Sequence, residues 1–287
     1  MRLARFSVGN GPIQLGVVDG DAVTSLTHRV PQISDMIDLI ANWPTYAPLV
    51  EAVRGENDCR LEQCRLHAPI ERPGKICGIG MNYATHIDEA RMAPPAHQIW
   101  FAKPATAVAG PFDPIERPMV SEEIDYEAEL VMIIGQRCRH VSREAAAGVV
   151  FGYCVGNDVS VRDWQRMGGQ HTIGKSFDTH APFGPWIVLA TDIDPHELDI
   201  KSHVNGQLRQ NSNTRNMIFD CWAQIEHLSK AMTLEPGDVI YTGTPGGVGA
   251  AMKPPSFLRE GDTVKVEIQS IGAIENIVVN ERPTGEE

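Results

Sequence analysis

Apolar and polar positions alternate through the first 25 residues. Ala4, Phe6 and Val8 lead into Gly9-Asn10-Gly11; Ile13, Leu15 and Val17 lead into Asp19-Gly20, and Ala22-Val23 follow. Asn-Gly and Asp-Gly between such runs predict β-hairpins. Ser34 is placed to cap a short helix carrying Met36, Ile37, Leu39 and Ile40. Two prolines and a glycine within residues 67–74 then break the pattern. A boundary there predicts a small β-rich N-terminal domain over 1–70 and a larger domain over 71–287.

Beyond the boundary, apolar runs predict strands at Lys75–Gly80, 129–134, Phe151–Val159 and Val239–Thr242, and alternation predicts one through Val264, Val266 and Ile268. A helix start is expected at Asn82 and a Ser142-capped helix over Arg143–Val150. Ile218, Trp222, Ile225, Leu228 and Met232 carry the clearest helical period, within 217–232. Strands dominate and connections are rich in Gly and Pro, so the expected architecture is α+β, centred on a large curved sheet.

Charge narrows the range of partners. The 287 residues include 25 Lys+Arg and 37 Asp+Glu, a net charge of −12. That balance argues against nucleic acid or an anionic membrane as partner, because both are bound through basic surfaces. No stretch reaches the roughly 18 apolar residues of a membrane span, and the N-terminus lacks the apolar core of a signal peptide. Cysteines 59, 64, 77, 138, 154 and 221 form no CxxC pair. The expectation is a reduced, cytoplasmic protein. The acid surplus either solvates the surface or in part holds a cation.

Three clusters carry candidate chemistry. In Ser121–Leu130, strand alternation would put Glu123, Asp125, Glu127 and Glu129 on one face, running straight into the apolar Val131–Ile134. A hard divalent cation would relieve the repulsion between Glu127 and Glu129; an acidic edge strand is the other reading. Asp158 ends a mostly apolar strand and would complete three oxygen ligands, a set suited to Mg²⁺ or Mn²⁺, or would simply cap a turn. His86 and Glu89 stand three apart, so on a helix they share a face. The pair would make a water-activating dyad or an ordinary solvent-facing contact.

Two further segments invite comparison with phosphate sites. Gly169–Ser176 fits GxxxxGK[ST] letter for letter, but no apolar strand precedes it, and Pro182 and Pro185 forbid a long helix after it. A nucleotide-binding P-loop is therefore rejected, with Lys175 kept as a cation for developing negative charge. The glycine-dense Thr242–Gly249 follows a strand and lets backbone amides approach a ligand closely.

In order along the chain, these blocks resemble the fumarylacetoacetate hydrolase family. They are Gly80-Met81-Asn82-Tyr83 with His86 and Glu89, Phe101–Pro104, Asp125–Glu129, Gly156–Gln165, Gly174–Thr179 and Thr242–Gly249, within roughly Arg72 to Pro283. The resemblance implies a mixed β-sandwich roll, a homodimer and a Mg²⁺ or Mn²⁺ site held by Glu127, Glu129 and Asp158. It implies catalytic roles for His86, Glu89 and Lys175, and substrate binding by Arg162, Gln165, Thr244 and Lys103. The lid after Glu89, Ala90 to Pro95, would read the substrate's tail. The implied activity is hydrolysis of the C–C bond of a 2,4-dioxo acid, an acylpyruvate or a 2,4-dioxo-3-deoxy sugar acid, to pyruvate and a carboxylic acid. Oxaloacetate decarboxylation and hydroxymuconate-type isomerisation are the alternatives on the same scaffold.

Overall fold

The computed structural model describes every residue except 91, 92, 94 and 283–287. In chain order it begins with strands β1 (Arg2–Val8), β2 (Gln14–Asp19) and β3 (Ala22–Ser25). Helices α1 (Leu26–Arg29), α2 (Met36–Ala41) and α3 (Trp43–Val53) follow, then β4 (Cys59–Arg60) and β5 (Cys64–His67). Next come β6 (Ile76–Gly80), α4 (Ala84–Ala90), β7 (Ile99–Lys103), β8 (Val108–Ala109) and β9 (Ile115–Arg117). The middle holds β10 (Ile124–Asp125), β11 (Ala128–Ile134), β12 (Val150–Asn157), β13 (Ser160–Val161), α5 (Arg162–Arg166) and β14 (Ala181–Leu189). The last part is β15 (Asp199–Val204), β16 (Gln207–Asn213), α6 (Cys221–Ala231), β17 (Val239–Tyr241), β18 (Thr263–Ile268) and β19 (Gly272–Asn280).

A 12-stranded sheet runs β4-β3-β2-β1-β14-β12-β11-β17-β6-β7, with β5 beside β1 and β8 beside β14. A five-stranded sheet, β16-β15-β18-β19-β9, packs over it, and β10 pairs with β13 separately. Most pairings are antiparallel; β6 with β17, β8 with β14 and β9 with β19 are parallel. The fold is thus a mixed, sheet-rich α+β roll with few helices, as expected.

Every residue of β11 is buried because both of its faces are covered. Leu130, Met132 and Ile134 join the core shared with Ile200, Val266 and Ile274 of the smaller sheet. Val131 and Ile133 join the opposite core, with Leu39, Ile40 and Val50 of the N-terminal helices. The segment 1–70 shares the large sheet with the rest: Arg2 and Leu3 of β1 lie opposite Val188 and Ile187 of β14.

Three local expectations shift. The cap of α2 is Asp35, whose side chain accepts the Asp38 amide at 2.8 Å, while Ser34 donates its own amide to the Asp38 carboxylate. Residues Arg143–Val149 form a 3-10 stretch without a side-chain cap. The helix expected over 217–232 begins only at Cys221, because Asp220 caps it through the Ala223 amide at 2.9 Å.

Candidate active site

The acidic segment is not one continuous strand. β10 stops at Asp125 and β11 starts at Ala128, because the Glu127 amide donates to the Asn157 side chain at 2.9 Å and the Glu127 carbonyl accepts the Asp158 amide at 2.9 Å. A side chain thus replaces a ladder partner, and the chain passes from one sheet to another. The expected single acidic face splits as a result. Glu123 is half-exposed and pairs with Arg166. Asp125 turns to the Gly249 and Ala250 amides, at 2.8 and 2.9 Å, and to Arg162.

Glu127 and Glu129 converge instead on Asp158, just past the end of β12. Their carboxylate oxygens lie within 4.8 Å of one another, and the residues are 4%, 1% and 0% exposed. Lys175 Nζ bridges Glu127 and Asp158 at 2.6 Å each, and Arg162 donates to Glu127 at 2.7 Å. Burial opposes ionisation of Glu127, but Lys175 and Arg162 hold its pKa below the ordinary carboxylate range. Burial likewise opposes the charge on Lys175, yet Asp158 and Glu127 keep its pKa above the usual value.

Glu129 has a different environment. Its one hydrogen-bond donor among the described residues is the Gly243 amide, at 2.6 Å. Burial, then Asp158 and Glu127, push its carboxyl well above the ordinary range. Lys103, Lys175 and Arg162 pair with Asp125, Glu127 and Asp158, which leaves Glu129 as the one of these four buried carboxyls without a cation partner among the described residues. A hard divalent cation on these oxygens would supply the counter-charge that Glu129 lacks, and the donor set fits Mg²⁺ or Mn²⁺.

The dyad lies on α4. Buried Asn82 fixes the turn into this helix, donating to the Thr242 and Phe219 carbonyls at 2.7 and 2.9 Å and accepting the Phe219 amide at 2.8 Å. His86 Nδ1 lies 2.7 Å from Glu89 Oε1. A carboxylate only accepts, so Nδ1 is the donor, which in a neutral ring leaves the lone pair on Nε2. The other Glu89 oxygen accepts the Gly247 amide at 2.6 Å, and Thr85 Oγ1 accepts the Gly246 amide at 3.1 Å. On its far side the Gly247 peptide is held by Tyr126, whose hydroxyl donates to the Gly247 carbonyl at 2.9 Å. Gly247 has φ +110°, and a Cβ there would stand 2.2 Å from the Arg209 carbonyl oxygen, so only glycine fits.

His86, Glu89, Glu127, Arg162, Gln165, Lys175 and Thr244 all line one cavity of about 890 Å³. Its remaining wall includes Ile79, Ile99, Phe101, Val248 and Met252. Gln165 accepts from Arg162 at 3.1 Å. Thr244 donates to the Ala128 carbonyl at 2.9 Å and accepts from Gln210 at 2.8 Å, so its hydroxyl also braces the loop. Lys103 departs from expectation. Its ammonium lies beneath Asp158, paired with that carboxylate and the Val159 carbonyl, and it does not line the cavity. It is fully buried at the end of β7, so it serves as a counter-ion rather than a substrate contact.

Sequence reasoning missed His171, which lines the cavity with its ring 6.3 Å from that of Phe101. Burial and then Lys175 lower its pKa. The signal lay inside the GxxxxGK stretch, where attention went to the glycines and lysine. That stretch makes only a 3-10 turn at Ile173–Lys175, packed so tightly that a Cβ on Gly174 would stand 2.4 Å from the Gln165 amide nitrogen. Of the expected substrate-reading lid, residues 91, 92 and 94 lie outside the described residues.

Comparison with known proteins places the chain among its relatives. The family model of the fumarylacetoacetate (FAA) hydrolase C-terminal domain matches residues 75–279. Over 289 residues, 95% of this chain and 94% of the relative, the chain is 45% identical to the fumarylacetoacetate hydrolase domain-containing protein 2 homolog of Dictyostelium discoideum. It is 42% identical to a mitochondrial oxaloacetate tautomerase of Xenopus laevis, over 97% of this chain and 90% of that one. Among solved structures, maleylpyruvate hydrolase from Sphingobium sp. SYK-6, in complex with manganese(II) and pyruvate, aligns with a TM-score of 0.83 at 36% identity, covering 98% of this chain and 100% of that one. A match over this span, with relatives this similar along nearly their whole length, places the chain in the fumarylacetoacetate hydrolase family.

Proposed function

We propose that the protein hydrolyses the C–C bond of a 2,4-dioxo acid of the acylpyruvate type, releasing pyruvate and a carboxylic acid. The observation that carries this reading is the His86–Glu89 pair at 2.7 Å, lining the same cavity as Glu127 and Lys175. Glu127, Glu129 and Asp158 would hold Mg²⁺ or Mn²⁺, which when bound supplies Lewis-acid stabilisation of negative charge on the substrate's 2-oxo group.

His86 Nε2, oriented by the Nδ1 contact to Glu89, takes a proton from a water that attacks the C4 carbonyl. Breaking C3–C4 leaves the electron pair on the pyruvyl fragment as an enolate. The Lys175 ammonium, held against Glu127 and Asp158 and lining the cavity, opposes that charge. Protonated His86 then returns its proton to C3, which completes pyruvate and restores the base. The apolar wall of Ile79, Ile99, Val248 and Met252 suits an acyl tail longer than a four-carbon acid carries.

A second reading, tautomerisation of oxaloacetate, is favoured by the 42% identity to the Xenopus laevis tautomerase over 97% of this chain. There the dyad would move a proton between C3 and the enol oxygen without activating water. Pyruvate release from a panel of acylpyruvates, with Mg²⁺ or Mn²⁺ and with EDTA, tests the proposal. Metal-dependent release is expected. No release from any member, with fast equilibration of oxaloacetate enol and ketone, would replace it by the second reading.

A further inference from the structure

Cys59 and Cys64 open two strands that belong to different pairings. Cys59 lies opposite Val23 of β3, and Cys64 opposite Val8 of β1. Between them Leu61–Gln63 makes a single 3-10 turn, closed by the Arg60 amide donating to the Gln63 side chain at 3.0 Å. That turn brings the two sulfurs to 3.4 Å. A disulfide needs about 2.05 Å, so bond formation asks for about 1.4 Å of approach, a distance that side-chain rotation can supply.

Access separates this pair from the buried thiols. Cys77, Cys154 and Cys221 are buried, whereas Cys59 and Cys64 are half-buried. Cys64 also lines a second cavity, of about 480 Å³, with Arg60, Phe112 and Trp186. No residue of the active-site cavity lines it, so a small solute reaches this sulfur independently of substrate.

We propose that Cys59 and Cys64 form a reversible oxidation site, converted by a hydroperoxide into an intrachain disulfide. One of the two thiols, as its thiolate, attacks a peroxide oxygen and breaks the O–O bond, giving a sulfenic acid and a hydroxide that takes up that thiol's proton as one water from hydrogen peroxide. The other sulfur then displaces the sulfenic hydroxyl, which leaves with the second thiol's proton as a second water. Two thiols lose two electrons in total, and the peroxide gains them. The bond would tie β4 to β5, which pair with β3 and β1 and not with each other.

The whole protein treated with hydrogen peroxide, then denatured, tests this. Titratable thiols are expected to fall from the six of the sequence to four, with a mass loss of about two units, a Cys59–Cys64 linked peptide, and full reversal by dithiothreitol. Cys59→Ser and Cys64→Ser should each abolish the link while leaving turnover unchanged, because neither residue lines the active-site cavity. Six titratable thiols after treatment would overturn the proposal. Single cysteines oxidised to sulfinic acid without the link, or a two-thiol loss persisting in Cys59→Ser, would overturn it equally.

Discussion

The two halves of the candidate active site are held in different ways. Glu127, Glu129 and Asp158 stand at strand ends in the middle of the large sheet, almost fully buried and clamped by three cations. His86 and Glu89 ride on a seven-residue helix, with side chains 13% and 20% exposed. So short a helix has little stability of its own. Buried Tyr83 and Ile87, the Asn82 turn and the amides of Gly246 and Gly247 hold it in place. The carboxylate floor is set by charge and the dyad by backbone hydrogen bonds, so substitutions should affect the two halves differently.

The largest effect is expected at Asp158, which faces both Lys103 and Lys175. Asp158→Asn leaves two buried ammonium groups short of an anion and should cost about 3–5 kcal/mol of stability along with all turnover. Thermal melts of the metal-free protein would measure it. Glu129→Gln breaks the symmetry of the floor. Its buried carboxyl has a raised pKa, so as pH rises toward that pKa the folded state keeps a proton that the unfolded chain releases, and stability is lost. The neutral glutamine should therefore raise the melting temperature of the metal-free protein at neutral pH, and flatten its decline with rising pH. Calorimetric Mg²⁺ or Mn²⁺ binding should disappear. A drop in melting temperature would show that Glu129 is a structural ion after all.

On the dyad side, His86→Ala should remove at least two orders of magnitude of pyruvate release from an acylpyruvate, in line with the usual contribution of about 10²–10⁴ from a general base. Metal affinity, measured by calorimetry, should stay near wild type. Loss of both together would mean that floor and dyad are not separable. The smallest effect is expected at Tyr126, whose hydroxyl steadies the Gly247 peptide behind Glu89. Tyr126→Phe removes one hydrogen bond of about 1 kcal/mol, a fall in kcat of about fivefold with KM nearly unchanged. A change confined to KM would place Tyr126 in substrate binding instead.

Much of the floor was legible in the sequence because burial of β11 left a long apolar run after Glu127 and Glu129, and charge at the mouth of such a run needs a partner. The three-residue spacing put His86 and Glu89 on one face of α4, where they meet at 2.7 Å, but it left open a solvent-facing pair, and the dyad role came from the family resemblance. The break between β10 and β11 was not, since it depends on Asn157, 30 residues away, donating nothing to pattern but accepting the Glu127 amide. Lys103 as counter-ion and His171 as cavity lining were hidden for a similar reason. Both follow from which face of a distant element meets the site, and no local period encodes that. In the N-terminal segment the turns were legible, but the junction between β1 and β14 spans about 185 residues of chain and leaves no local trace.

That junction bears on how the protein tolerates shortening. One edge of β1 is shared lengthwise: Arg2 and Leu3 meet β14, while Arg5 to Val8 meet β5. Arg2 also lies over the Trp186 ring of β14, 5.0 Å from its centre. A version beginning near residue 71 would keep every residue of both halves of the candidate site, and β8 would still pair with Ala181 and Pro182, yet the buried Ile187–Val188 end of β14 would become a raw border. Self-association through that border, rather than loss of chemistry, is the failure to expect from such a truncation.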